Sequence, residues 1–580
     1  MKRAMQFMAD RSRWENSRRP RGARTVWPAL LPVLVLVAWG AAGCDQTPPP
    51  ATESIPEPPA ADPGELYAWR TDLPRRAWNV LILTLDTTRR DVLGVYGGAV
   101  ATPVLDSLAQ EGVLLEDVVT PVPTTLAAHT SLMTGLDPQE HGVRHNGLYN
   151  VADSLTTLAE RFTRHGYTTA AFVSGYPLHP QFGIAQGFEH YDAEFTHNAF
   201  GVARETAERT AGAVTDAALE WSSTNLHAPY FLWVHYFDPH FPYEPPEPFR
   251  SRYAGDLYAG EVAYMDREIG RLLRGLRSAE RLHETVLLIV GDHGESLGEH
   301  GEPTHGFFIY EATQVVPCIL VTPPEARELA EGMADRSGSL RLRDLAPTLA
   351  NLLGWPGAEW REAGSCSFLS LAPDSLPPPV AYLETLVPAL EYGWSDLRGV
   401  RSAGWKYIRA PQAELYDLRH DPGEQQNVLK EHPETAQRLE AWLDWYLTAE
   451  SEEALEPVDL DAQVLERLRS LGYLSGDVGE DAGSGADPKD RIEVHRVYNE
   501  ARQLAADHRF EEATRAMRWV LRREPQFAAA RSQLADFTMR AGDPEAARRI
   551  YAELAEKDPD NREYRLGQVR AALSAEQFLN

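Results

Sequence analysis

Two acidic positions stand where an apolar, strand-like run ends. Asp86 follows NVLILTL, and Asp292 with His293 follows TVLLIVG. A carboxylate beside an imidazole at a strand end is a half-site for a divalent cation, because such ions take hard oxygen and borderline nitrogen donors. A lone Asp in that place more often caps a helix or opens a turn. Two of them in one body, one followed by His and Gly, strengthen the metal reading. Between them lies PVPTTLAAHTSLMTGLDPQEHGVRHNG, where Thr125 opens a small-residue, helix-forming run. A threonine there is either a plain N-cap or a nucleophile, since a helix N-terminus stabilises a bound anion and a developing alkoxide.

The elements that must position these groups alternate in type. Strand-like runs fall at 80–85, 168–173, 231–237, 286–290 and 318–321, and helical patterns at 155–165, 204–222 and 260–276. Strands alternating with helices of that length predict an α/β body with a largely parallel sheet, whose function gathers at the carboxyl ends of the strands. The chain has 580 residues, 43% apolar and 24% charged, which suits several globular domains and excludes wholesale disorder. A formal charge of −29 argues against nonspecific nucleic-acid binding. Three cysteines exclude a disulfide scaffold and a Cys-rich zinc module, so a metal here must rest on carboxylates and histidines.

The ends differ from the middle. Residues 1–43 carry eight basic and two acidic side chains, then an uncharged apolar run from Val26 to Gly43 interrupted by Pro28 and Pro32. A basic region, an apolar core and small residues before a cysteine are the layout of an export signal, and Ala41-Ala42-Gly43-Cys44 resembles a bacterial lipoprotein lipobox. That resemblance implies a lipid anchor on Cys44, a membrane association and a place in the cell envelope, facing the periplasm or exterior; an uncleaved N-terminal anchor would export the chain equally. The Pro-rich, acidic stretch 44–76 reads as a tether. Near the other end, Pro525 and Pro559 lie 34 residues apart, as do Glu511 and Glu545. This helix–turn–helix period resembles the tetratricopeptide repeat and implies a protein partner.

Taken in order, DTTRRDVLGVYG, TLAAHTSLMTG, HGVRHNG, HYFDPHFPYEPP, YAGEVAYMDREIGRLL, DHGESLGEHG, HGFFIYEATQVVPCILV, RDLAPTLANLLG and ELYDLRHDPGEQQN resemble the sulfatase family of the alkaline-phosphatase-like superfamily. The resemblance implies that Asp86, Asp292 and His293 bind one divalent metal ion (calcium, manganese or zinc), with Thr125 as nucleophile and further ligand. It places Asn146 against the anionic group, His240 and His305 near the leaving group, and His129, where the family has arginine, beside the nucleophile. Two departures stand out. The nucleophile motif reads Thr125-Leu-Ala-Ala-His129 instead of the Cys/Ser-x-Pro-x-Arg that matures to formylglycine, and Thr87 stands where many members have a metal-binding Asp.

The expected partition is 1–43 signal peptide, 44–76 tether, 77–360 catalytic core, 361–450 small α+β subdomain, 451–490 acidic linker and 491–580 repeats. The expected activity is metal-dependent hydrolysis of a sulfate, phosphate or phosphonate ester through a covalent intermediate on Thr125. The substrate is a small anionic ester or a sulfated or phosphorylated glycan or lipid. Two alternatives are a phospho-group transferase of the same superfamily and a noncatalytic scaffold that uses its repeats. Elsewhere, His235 reads as a packed core histidine, Glu299 and His300 as loop-shaping residues, Asp266 as a structural partner, and Cys318 as a buried strand residue.

Overall fold

The computed structural model describes residues 55–58, 69–195, 208–282, 284–334, 339–357, 360, 366–369, 380–448, 485–559 and 561–579. The export signal, Cys44 and most of the tether and acidic linker lie outside these residues. An eight-stranded sheet has the order β4-β3-β5-β1-β6-β7-β2-β8. Its centre is β1 (Asn79–Leu85), with β5 (Tyr230–Tyr236) on one side and β6 (Thr285–Gly291) on the other, both parallel to it. All three are buried along their whole length, which is why they read as unbroken apolar runs and not as alternating strands. β3 (Thr168–Phe172) and β4 (His190–Asp192) continue the parallel pairing outward. On the other side β7 (Val315–Val321) runs antiparallel to both β6 and β2 (Val113–Val119), and β8 (Leu340–Arg341) closes that edge. The sheet is therefore mixed, parallel where the site forms.

Helices cover both faces. α1 (Pro103–Glu111) begins where Asp266 accepts the backbone N–H groups of Val104 and Leu105, at 3.2 and 2.9 Å, a structural cap as expected. α2 (Thr125–Thr134) is buried at every residue. α3 (Leu158–Arg164), α4 (Ala211–Asn225) and α5 (Leu257–Ser278) pack around the sheet, and α6 (Leu345–Leu352) supplies leucines to the core beneath α2. A second, antiparallel sheet orders β12-β11-β10-β9, running from β9 (Ala381–Thr385) through β10 (Leu397–Ser402) and β11 (Trp405–Arg409) to β12 (Glu414–Asp417). α7 (Pro433–Thr448) lays Leu439, Trp442 and Leu443 on it.

Two helical hairpins follow: α8 (Pro488–Ala506) with α9 (Phe510–Arg523), and α10 (Ala528–Arg540) with α11 (Pro544–Lys557), closed by α12 (Arg562–Leu579). The hairpins do not stand apart. Val494, Val497, Tyr498 and Ala501 of α8 share one apolar cluster with Phe307, Phe308 and Ile309 of the hydrolase body. Among the described residues no helix is long and apolar enough to cross a membrane.

Candidate active site

Strand register builds the site. Leu85 of β1 pairs with Gly291 of β6 and Tyr236 of β5, so the residues that follow emerge side by side at the carboxyl edge of the sheet. Asp86, Asp292 and His293 offer ligand atoms that all lie within 4.8 Å of one another, and all three are buried. His293 donates from Nδ1 to the Gly294 carbonyl at 3.0 Å, which leaves a lone pair on Nε2; that atom lies 3.5 Å from Asp292 Oδ2 and 3.9 Å from Asp86 Oδ1. This is the tautomer a metal-binding imidazole needs.

Among the described residues no lysine or arginine pairs with these carboxylates, and the His305 charge only partly offsets the burial of Asp86. Burial pushes Asp86 up to about 8, and burial with the nearby Asp86 charge raises Asp292 well above the carboxylate range. Asp86 Oδ1, Asp292 Oδ2 and His293 Nε2 are buried and make no hydrogen bond. Two oxygens and one nitrogen with unspent lone pairs at one point fit a divalent ion.

Three more unpartnered buried atoms come from the other side: Thr125 Oγ1, Asn146 Nδ2 and His129 Nε2. Thr125 is the first residue of α2, and its hydroxyl lies close enough to Asp86 to favour the ionised carboxylate. Asn146 accepts the Leu126 N–H at 2.8 Å through Oδ1, so its amide NH2 is left to donate into the site. His129 donates from Nδ1 to the Thr125 carbonyl at 2.8 Å. Burial, and secondarily His235, holds its pKa well below the usual value. The neutral ring this implies presents an acceptor at Nε2, which differs from the arginine-like anion donor the resemblance suggests.

His240 donates from Nδ1 to the Phe241 carbonyl at 2.7 Å and stacks on Phe237. Its ring centroid lies 5.1 Å from that of His305, which in turn lies 4.6 Å from that of His293. Burial alone would lower the His305 pKa, but Glu295, bonded to Nδ1 at 3.0 Å, and the Asp86 charge outweigh it and raise the net value. All the site residues expected from the sequence are therefore brought together. Thr87 turns away: its hydroxyl donates to the Pro239 carbonyl, and its backbone adopts φ 46°.

Sequence reasoning missed three contributors. His235 is buried in β5, yet it accepts the Ser174 N–H on Nδ1 and donates from Nε2 to Asp86 Oδ2 at 3.1 Å. It orients a ligand and is more than core packing; its signal was a polar residue inside an apolar strand. Glu295 and Tyr243, joined at 3.0 Å, support His305. Glu299 pairs with Arg89 at 2.6 Å and His300 stacks on Tyr310, both in the surrounding loop as expected.

A strand-edge cluster of carboxylates and imidazole facing a helix-borne hydroxyl defines a hydrolase of the alkaline-phosphatase-like class. Residues 78–355 match the family model described as Sulfatase, and residues 504–573 match a tetratricopeptide repeat model. The chain is 24% identical over 361 residues to an arylsulfatase of Clostridium perfringens, covering 47% of this chain and 74% of that protein. It is 23% identical over 471 residues to a Delta 4,5-hexuronate-2-O-sulfatase of Bacteroides thetaiotaomicron, covering 68% and 94%. The crystal structure of a phosphonate monoester hydrolase of Agrobacterium radiobacter shares the fold, with a TM-score of 0.50, 20% identity and coverage of 66% of this chain and all of that one. Residues 78–355 thus form a sulfatase-type hydrolase domain, and a tetratricopeptide-type repeat follows at 504–573.

Proposed function

We propose that this hydrolase cleaves a sulfate, phosphate or phosphonate monoester by forming a transient ester on Thr125. One observation carries the reading: Asp86, Asp292 and His293 bring ligand atoms within 4.8 Å of one another beside Thr125, and Asp86 Oδ1, Asp292 Oδ2 and His293 Nε2 are buried with no hydrogen bond to protein groups. Such convergence is costly in a folded protein unless a ligand completes it.

Asp86, Asp292 and His293 would hold the metal ion, with the Thr125 oxygen beside them. When bound, the ion supplies charge stabilisation and lowers the hydroxyl pKa. Thr125 Oγ1, its proton lost to water, attacks sulfur or phosphorus, and the bond to the alcohol oxygen breaks. His305, kept protonated by Glu295, gives its proton to that oxygen. The Asn146 NH2 and the N-terminus of α2 stabilise charge on the transferring group. Neutral His305 then takes a proton from the water that attacks the Thr125 ester, and the threonine oxygen is reprotonated from water as the anion leaves. His240 positions the alcohol.

Sulfate esters are the first substrate class, as the names of the relatives suggest. Phosphorus esters are the second, and Thr125 itself favours them: without a formylglycine hydrate, its ester must be opened by direct water attack. The basic, apolar leader ending at Cys44 supports an exported, lipid-anchored enzyme acting in the cell envelope. A parallel screen of aryl sulfate, phosphate monoester, phosphodiester and phosphonate, with several divalent metals and Thr125→Ala as control, tests the reading. Turnover that survives Thr125→Ala contradicts it.

A further inference from the structure

The repeat segment reaches the catalytic machinery through a single loop. His305 is followed by Gly306, whose carbonyl accepts the Thr385 hydroxyl of the second sheet, and by Phe307. The N–H groups of Phe307 and Phe308 both donate to Glu302 Oε1, at 2.7 and 3.2 Å, so the chain turns tightly over that carboxylate. Hydrogen bonds alone leave the outer side of the turn unsupported. There the Phe307 ring stacks on His495 of α8, with centroids 4.5 Å apart and planes 29° from parallel. His495 is in turn fixed by the Tyr392 hydroxyl, bonded to Nδ1 at 2.7 Å, and Tyr392 and Trp394 meet the Phe307 ring edge-on. One turn earlier on α8, Ile492 lies against Gly301, at the start of the same loop. Gln412 and Lys489 tie the beginning of α8 to the second sheet, the Gln412 N–H donating to Asp487 and the Lys489 ammonium to the Gln412 carbonyl.

We propose that α8 is a working part of the hydrolase, with His495 as a positioning residue that acts through Phe307 to hold the His305 loop against the leaving group. The inference rests on the role given to His305 above. A catalytic acid works only at hydrogen-bond distance from its target, and a displacement of about 1 Å costs on the order of 100-fold. Only Gly306 separates His305 from the stacked ring, so losing the stack frees the turn that aims it. α8, which leads into the repeat matched at 504–573, is then the outer wall of the catalytic loop.

Two measurements on the full-length protein test this. The first compares kcat/KM, which reports the transfer to Thr125 with departure of the alcohol, for a 4-nitrophenyl ester and for an alkyl ester of the same acid. The nitrophenolate leaves without a proton and the alkoxide needs one. His495→Ala is expected to slow the alkyl ester by about 10- to 100-fold and the nitrophenyl ester by less than about threefold. His495→Phe, which keeps a ring against Phe307, is expected to restore the alkyl rate. Equal loss on both esters, or no loss, overturns the proposal. The second is hydrogen exchange over residues 299–310, where His495→Ala should speed exchange at Phe307 and Phe308 and His495→Phe should not; unchanged exchange in His495→Ala overturns the brace. If His495→Ala does not fold, His495→Leu fills the same space without a ring face and carries the same expectations. A wild type that turns over no ester defeats the Thr125 reading, while exchange still decides the brace.

Discussion

Two clusters of buried charge in this protein make opposite use of a carboxylate. In the wall between the sheets, Arg401 grips Asp117 with two bonds of 2.8 Å and Glu311 with two of 3.0 Å, and Lys406 adds a second cation at 3.1 Å from Glu311. Burial would raise Glu311, but Arg401 and Lys406 overcome it and hold the carboxyl down to about 2. At the strand edge, burial acts on Asp86 with no arginine or lysine bonded to it, and its carboxyl rises to about 8. The first cluster carries its own counter-charge and is a structural clasp. The second has no lysine or arginine of its own, and a divalent ion would supply the missing charge. Unsatisfied polarity, more than burial, separates a site from a support.

The comparison breaks first at the nucleophile. Thr125→Ala is expected to cut turnover by about 10⁴-fold or more with melting temperature unchanged, since it removes the reacting atom and only a small side chain. Asp292→Asn should abolish metal retention, read by elemental analysis of the purified protein, and lower turnover by on the order of 10³-fold. In metal-free protein the same change should leave stability equal or higher, because it removes a buried carboxylate with no partner. Glu311→Gln should do the reverse, leaving turnover intact while costing about 1–3 kcal/mol of stability, because Arg401 keeps only Asp117 and Lys406 only Glu424 as charged partners. The sign of its pH dependence follows from the depressed pKa. The Glu311 contribution is fully present above its unfolded value and is lost as pH falls toward about 2, so the variant should show a flatter acid limb in urea melts.

His235→Ala tests the support of a ligand and should weaken metal binding about 10- to 100-fold. The smallest effect belongs to the solvent-facing pair of Arg271 and Asp216, where the Asp216 side chain is 73% exposed; Asp216→Ala should change stability by less than about 1 kcal/mol.

What the sequence discloses depends on whether a residue's meaning is local. Asp86, Asp292 and His293 are legible because each follows an apolar run that can only be an inner strand, and Thr125 because it opens a helix. The α/β architecture is legible for the same reason, although the edge strands β4 and β8, of three and two residues, are too short to leave a pattern. His235 is not legible. Its partner Asp86 is 149 residues away, and only the placement of β5 beside β1 joins them. Glu295 likewise gains meaning only when the turn after β6 brings it to His305. The acceptor face of His129 depends on which ring nitrogen the Thr125 carbonyl occupies, a detail no spacing encodes. That the repeats pack on the main body is legible from their number, about two and too few to stand alone, but a repeat period says nothing of which surface the first helix meets.

The central claim is that Thr125 carries the transferred group. Quenching the wild-type enzyme in acid during turnover of a 4-nitrophenyl ester, then mapping peptides by mass spectrometry, measures this directly. The account predicts one phosphoryl or sulfuryl group on Thr125, absent from Thr125→Ala and from protein that has seen no substrate. An adduct on another residue, or undiminished turnover by Thr125→Ala, would contradict it.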